Sequence, residues 1–379
     1  MNLRHLSSGL KDSFLQAACR ANQFGTLTLL LADDRIDPNY PKGGPLITTC
    51  YAKHFQILAL LLTDSRIDVN VSSELDMTAL GICCESGQLP LVRMLLTHQQ
   101  LDVNQLYSDG VDTPVMKSCV HNHLEIIDLL LADPRVNVNL RNKDGITPLM
   151  FCCSNGLLES ATLLLSHSNI DVNATHEKTG GMALHFASQQ GHLPLVELLL
   201  TDPKVDVNRV DGLMTTPFRA ACANGHVLTV KAMLADHRVD VNKGNSFNST
   251  PLWTAANMGL LGVVESLLAS GRDIDTTVKS CFQTAYQIAI INRNCVQKAD
   301  QETPELFHQR QSCGAAIAAL ILAYEKDRGL RERIATLAPT RKLAPPRPSK
   351  SGGGISNQML VISAFLVVGA FVFVRFWRN

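Results

Sequence analysis

Residues 141–173 read RNKDGITPLMFCCSNGLLESATLLLSHSNIDVN, closing on Ile170-Asp171-Val172-Asn173. The same closing pattern returns with asparagines at 39, 70, 104, 139, 173, 208 and 242. After a first gap of 31 residues the steps are 34, 35, 34, 35 and 34. Self-similarity at a fixed period in this range is the signature of a solenoid, one supersecondary unit stacked on copies of itself.

A second marker runs in phase with the first. Pro45, Ala79, Pro114, Pro148, Ala183, Pro217, Pro251 and Ala285 recur every 34 or 35 residues, and most follow a threonine. Threonine caps a helix and proline is preorganised for its first turn. About nine residues after that threonine stands Gly87, Gly156, Gly191, Gly225 or Gly259, with Asn22 and Asn122 at the equivalent place in two other units. Both residue types tolerate the left-handed conformation that ends a helix. An apolar stretch such as 193–200 follows and suits a second helix lying against the first. Each unit therefore reads as helix, tight turn, helix and extended finger.

These residues resemble the ankyrin repeat: a finger ending in Asp144-Gly145, then Thr147-Pro148-Leu149, Asn155-Gly156 and Asp171-Val172-Asn173. Most units carry one residue more than the family's usual 33, because the helix-finger junction reads Asp-Pro-Arg (133–135), Asp-Pro-Lys (202–204) or Asp-His-Arg (236–238). A further residue enters the fingers 105–112 and 174–181, which accounts for the 35-residue steps. The resemblance implies an all-α solenoid of about eight to nine ankyrin units over residues 12–325, after an N-terminal extension of residues 1–11. Toward its end Arg293 replaces the turn glycine and an insertion at 297–304 precedes an apolar helix over 315–324, the irregularity expected of a cap.

Composition limits the function classes. The chain balances 34 basic against 34 acidic residues, so no global field argues for nucleic acid. Six cysteines (19, 50, 84, 119, 153 and 222) fall at one register position, where other units have Ser188 and Ala256. That marks a small-residue packing site, and equivalent positions about 8–10 Å apart exceed the reach of a disulfide. No C-x-x-C pair is present to nucleate zinc binding, and His121 and His123 have no carboxylate or cysteine at ligand spacing. Neither a phosphate-gripping glycine loop nor a nucleophile elbow appears, so the reading is of a non-enzymatic protein without cofactor or small-molecule substrate.

By resemblance, the concave surface of finger tips and first helices binds other proteins. The variable positions seven and eight residues past the cap include Tyr51, Glu85, Val120, His121, Ser154, Gln189 and Asn257. The fingers add Tyr107, Asp109, Arg141, Lys143, His176, Lys178, Arg209, Leu213, Met214 and Phe247. Trp253 has two readings, a contact residue of the hot-spot type or the filler of a groove between repeats.

The composition then changes twice. Residues 326–350 hold eight basic side chains against Asp327 and Glu332, and 326–358 reads as a flexible basic linker rich in Pro, Gly and Ser. Anionic lipid is an expected contact for it, and Pro345-x-x-Pro348 fits SH3-type ligands, a match common by chance in such linkers. Residues 359–377, from Met359 and Leu360 through Phe365, Phe371 and Val374 to Arg375 and Trp377, read as one transmembrane helix. Its sixteen uncharged residues reach about 24 Å, and the flanking aromatics with a snorkelling Arg375 extend it toward a hydrocarbon core of about 30 Å. The expectation is a tail-anchored membrane protein with a cytosolic ankyrin domain, at the mitochondrial outer membrane or endoplasmic reticulum. It would serve as a tethered scaffold or adaptor, or alternatively as a regulatory or assembly subunit docking on a membrane enzyme or channel.

Overall fold

Threonine decides where the first helix of most units begins. Thr78, Thr113, Thr147, Thr216 and Thr250 each accept, at 3.1–3.3 Å, the N–H three residues on. Such a cap stabilises a helix by about 1 kcal/mol. The computed structural model describes residues 8–107, 112–294 and 304–337. The first helices are α1 (Ser8–Arg20), α3 (Gly44–Ala52), α5 (Ala79–Glu85), α7 (Pro114–Val120), α9 (Pro148–Asn155), α11 (Ala183–Gln190), α13 (Pro217–Ala223), α15 (Pro251–Asn257) and α17 (Ala285–Asn294). Their partners are α2 (Phe24–Leu31), α4 (Phe55–Thr63), α6 (Leu89–Leu96), α8 (Leu124–Leu131), α10 (Leu158–Ser166), α12 (Leu193–Leu200), α14 (Val227–Ala235), α16 (Leu261–Leu268) and α18 (Pro304–Leu337).

Among the described residues, eight of these are packed helix pairs, after which α17 packs on α15 and α18 adds Ile317, Ala318 and Ile321 to the core. First helices pack on first helices and second helices on second helices, giving two rows with one continuous core between them. Leucine, isoleucine, valine, alanine and cysteine dominate it. The predicted packing cysteines are all buried and free, as are Cys83 and Cys152. Burial pushes the Cys84 and Cys153 thiols up to about 12, so both stay protonated.

The asparagines that mark the period fasten each repeat to the next. Asn70 donates its amide to Gln100 O at 2.7 Å and accepts from Asp102 N at 2.7 Å. Asn39, Asn104, Asn139, Asn173, Asn208 and Asn242 repeat the pair of bonds at the other junctions of the first eight repeats. A second rung lies at the inter-helix turn. His54, His123, His192 and His226 each place Nε2 2.8–3.3 Å from a carbonyl at the end of the preceding first helix. Gln88 does the same to Cys50 O. Turn glycine is required on two counts at Gly191, whose φ is +74° and where a Cβ would collide with the His226 ring.

A third rung explains the extra junction residue. In Asp133-Pro134-Arg135 the aspartate grips Arg135 in a two-pronged ion pair, and the guanidinium reaches Leu96 O at 2.8 Å and His98 O at 3.1 Å. Arg66, Arg238 and Arg272 likewise cap the preceding second helix. Gln100, Asn169 and Lys204 stand where the other junctions would have that arginine. The junction of α8 with α10 lacks two rungs, since Leu157 also replaces the turn histidine. An open groove lies there, lined by Leu124, Glu125, Asp128, Leu158, Glu159, Thr162 and Leu163.

The ends differ from expectation. α1 begins at Ser8, inside the expected extension, and α18 continues to Leu337, twelve residues into the stretch expected to be linker. The chain divides into a unit from Met1 to Arg328 and another from Gly329 to Asn379. Within the first unit, Tyr324 of α18 closes the stack: its hydroxyl accepts from Ile274 N and donates to Arg272 O, at 3.1 and 3.3 Å. Among the described residues no helix is long and apolar enough to cross a membrane. The expected span 359–377 and the linker residues beyond Leu337 lie outside the described residues.

Candidate protein interface

Each finger is a tight turn closed by its own backbone. Asp76, Gly145, Met214 and Asn248 donate their N–H to the carbonyl three residues back, at 2.8–3.0 Å, and all four have positive φ. The residue just before the left-handed one is thrown to the tip. Leu75, Asp144, Leu213 and Phe247 hold that place; in the shorter finger Ser280 and Gln283 exchange both backbone bonds, and the exposed apolar residue between them, Phe282, is itself left-handed.

Of the predicted first-helix residues, Tyr51, Val120, His121 and Gln189 are exposed, while Glu85, Ser154 and Asn257 are partly buried. Arg209, Leu213, Met214, Phe247, Lys143 and Lys178 are exposed on fingers, and Arg141 is partly so. Asp109 lies outside the described residues.

Two predicted contact residues prove to be core. Tyr107 is 1% exposed. Its ring fills the space above Gly81, where any Cβ would collide with it, and its hydroxyl donates to Glu85 at 2.7 Å. Other units have a larger side chain at the Gly81 position, such as Met116 or Met150, so Tyr107 supplies volume that Gly81 lacks. His176 is also buried, its Nδ1 2.9 Å from Thr179 Oγ1 inside its own finger, where it accepts the Thr179 N–H.

Trp253 resolves toward the groove. Its indole N–H donates to Gln283 O at 3.0 Å. His185 and Arg219, at the same register, reach Thr215 O and Ser249 O at 3.0 and 2.9 Å. Each side chain ties a first helix to the next finger.

The interface falls into three electrostatic stretches. Near α5 and α7, Lys117 pairs with Asp112 at 3.2 Å and Glu85 at 3.4 Å and lies over the Tyr107 ring. Burial opposes the charge of Glu85, but the Tyr107 hydroxyl and Lys117 outweigh it and hold the carboxyl below its ordinary value. The Tyr107 phenol is pushed up, by burial and then by Glu85. In the middle, neighbouring fingers pair their charges, Arg141 with Glu177 at 3.5 Å and Lys178 with Asp144 at 3.7 Å. The last three fingers carry exposed apolar tips instead: Leu213 is 72%, Phe247 55% and Phe282 88% exposed. Phe282 and Leu75 were missed in the sequence; counting three residues back from each capping threonine finds Leu75, but in the last finger it lands on Cys281, one residue before Phe282. No group of three metal-ligating side chains occurs among the described residues.

Repeat architecture, rungs and exposed fingers define a repeat-protein scaffold. The model of the family described as "Ankyrin repeats (3 copies)" matches residues 14–107, 99–176, 115–211 and 184–280, and the chain belongs to that family. It is 37% identical over 117 residues to the probable E3 ubiquitin-protein ligase XBOS32 of Oryza sativa subsp. japonica, covering 31% of this chain and 23% of that protein. It is 28% identical over 155 residues to the nuclear factor NF-kappa-B p105 subunit of Gallus gallus, covering 40% and 16%. Both matches span about a quarter or less of the relative's length. The crystal structure of the ankyrin repeat domain of Bcl-3 superposes with a TM-score of 0.50 at 25% identity, over 55% of this chain and 92% of that one. The fold is that of protein–protein interaction scaffolds.

Proposed function

We propose that this chain is a membrane-tethered, non-enzymatic adaptor that holds a protein partner against the concave row of first helices and fingers. The observation that supports it most directly is the exposed row of Tyr51, Val120, His121 and Gln189 beside finger tips that the fold itself does not need. Those side chains are spared from the core because rungs of asparagine, histidine and arginine hold the repeats together from behind. The tether rests on the uncharged run 359–374 and the basic stretch before it, which also fits contact with anionic lipid. The mitochondrial outer membrane and the endoplasmic reticulum are the proposed sites.

Proximity labelling from the whole chain, beside a chain truncated after Ala338, tests both halves. The two forms should label overlapping proteins but fractionate differently, and identical fractionation would remove the tether. Substitution of Tyr51, Val120 and Phe247 by alanine should weaken partner capture with the thermal unfolding curve unchanged; undiminished capture would sink the concave-face reading.

A further inference from the structure

Three consecutive fingers depart from the rest in two ways, the outer two in both and the middle one, whose left-handed residue is Asn248, in the second alone. The first is backbone strain spent on exposed apolar groups. Met214 has φ +58° where the matching finger residue is Gly145 or Asn248, and Cys281 and Phe282 have φ +50° and +66° in succession. Apolar side chains disfavour that region, where glycine and asparagine are at home. Such outliers persist where a surface has a use for what they display. Here they display Leu213 with Met214, and Phe282, on either side of Phe247.

The second departure is charge. Fingers 141–146 and 175–181 pair their ions with each other. Fingers 209–215, 243–249 and 277–283 hold Arg209, Lys243 and Lys279 against Asp211 alone. The Asp211 carboxylate is turned inward, accepting from Leu213 N and Thr215 N at 2.9 and 2.8 Å. Behind the fingers, the half-buried guanidinium of Arg219 donates to Ser249 O and Thr215 Oγ1. Burial pulls its pKa below the ordinary range against the pull of the nearby Asp211 charge, and its hydrogen bonds are to neutral oxygens.

We infer that fingers 209–215, 243–249 and 277–283 form a docking strip for an extended acidic peptide segment of a partner protein, its apolar side chains seated on Leu213, Phe247 and Phe282 and its carboxylates on the cations behind them. Spacing agrees with charge. Neighbouring repeats lie about 8–10 Å apart, and a chain extended in the polyproline II form advances about 3.1 Å per residue with three residues per turn, so every third ligand residue, on one face, meets a new finger. A flat anionic membrane would meet the tips but not Arg219, which sits on α13 at their base. The inference rests on the protein-binding reading of this face and assigns it a place and a ligand chemistry.

The test pans a displayed library of random twelve-residue peptides on the full chain, then measures recovered peptides by fluorescence anisotropy. Recovered sequences should place Asp or Glu among apolar residues. Phe247→Ser with Phe282→Ser should weaken binding about tenfold or more, the cost of hot-spot loss, and Arg209→Glu with Lys279→Glu should weaken it and flatten its salt dependence. These side chains are exposed, so the variants should keep the wild-type circular dichroism melt. Recovery of peptides without acidic residues would overturn the strip. Binding lost on Tyr51→Ala with Val120→Ser, yet kept in both finger variants, would overturn the strip while leaving the concave face as an interface. Recovery of no peptide would count against both. Phosphatidylserine-containing vesicles are the counter-probe: recruitment that falls with Phe247→Ser and Phe282→Ser, without peptide binding, would assign the strip to lipid and end the proposal.

Discussion

Met214 states the conflict between folding and display in one side chain. It occupies a left-handed position that costs an apolar residue about 1–2 kcal/mol, and it is 49% exposed, so packing returns little of that. Met214→Gly combined with Phe282→Gly should therefore stabilise the chain by about 1 kcal/mol, after allowing for the extra freedom of glycine in the unfolded state. Urea midpoints measure this, and a loss of stability would show that both side chains are held by contacts of their own. His185 offers a pH test. Burial holds its imidazolium form below the ordinary range, against the pull of Thr215 O. The unfolded chain protonates it near pH 6.5 while the folded one does not, so the unfolded state binds more protons below that point. Stability is complete above about pH 6.5 and falls as pH drops toward the folded value, by at most about 1.4 kcal/mol per pH unit. Replacing His185 by Gln should flatten the difference between urea midpoints at pH 7.5 and 5.5.

At the scale of the element, what was legible in the sequence is what local chemistry decides. Thr147-Pro148 starts a helix and Gly156 ends one whatever surrounds them, so helix starts and turns are readable from the chain. Tyr107 is different. Its burial depends on Gly81, twenty-six positions earlier in the neighbouring repeat, and only in register does the missing volume at one predict the ring at the other. Trp253 was ambiguous for a related reason, since its partner is the backbone of Gln283 in the next unit. The asparagines were visible as a period but not as joints, because each makes its bonds about thirty residues away. Asn173→Ala deletes two of those bonds and strands Lys204 O and Asp206 N. A loss of about 1–2 kcal/mol is expected, read from denaturant unfolding. A change within error would mean that water replaces the amide at no cost.

For the whole molecule, stability is a sum of repeats and junctions, so damage at one end need not travel. Tyr324→Phe removes the acceptor for Ile274 N and the donor to Arg272 O. Amide exchange should accelerate over 272–294 and remain slow in α3 to α11. Uniform acceleration along the chain would instead mark the stack as one cooperative block.

The missing arginine and histidine between α8 and α10 give that stack an uneven stiffness. Drawn from its two ends, the stack is expected to part along the groove beside Leu124 and Leu158, where Asn139 is the remaining one of the three rungs. Four helix pairs would stay joined on one side, and four with α17 and α18 on the other. Such a break would leave the three apolar fingers together on one piece, so the proposed peptide partner, seated there, would be loaded mechanically without being peeled from its own contacts.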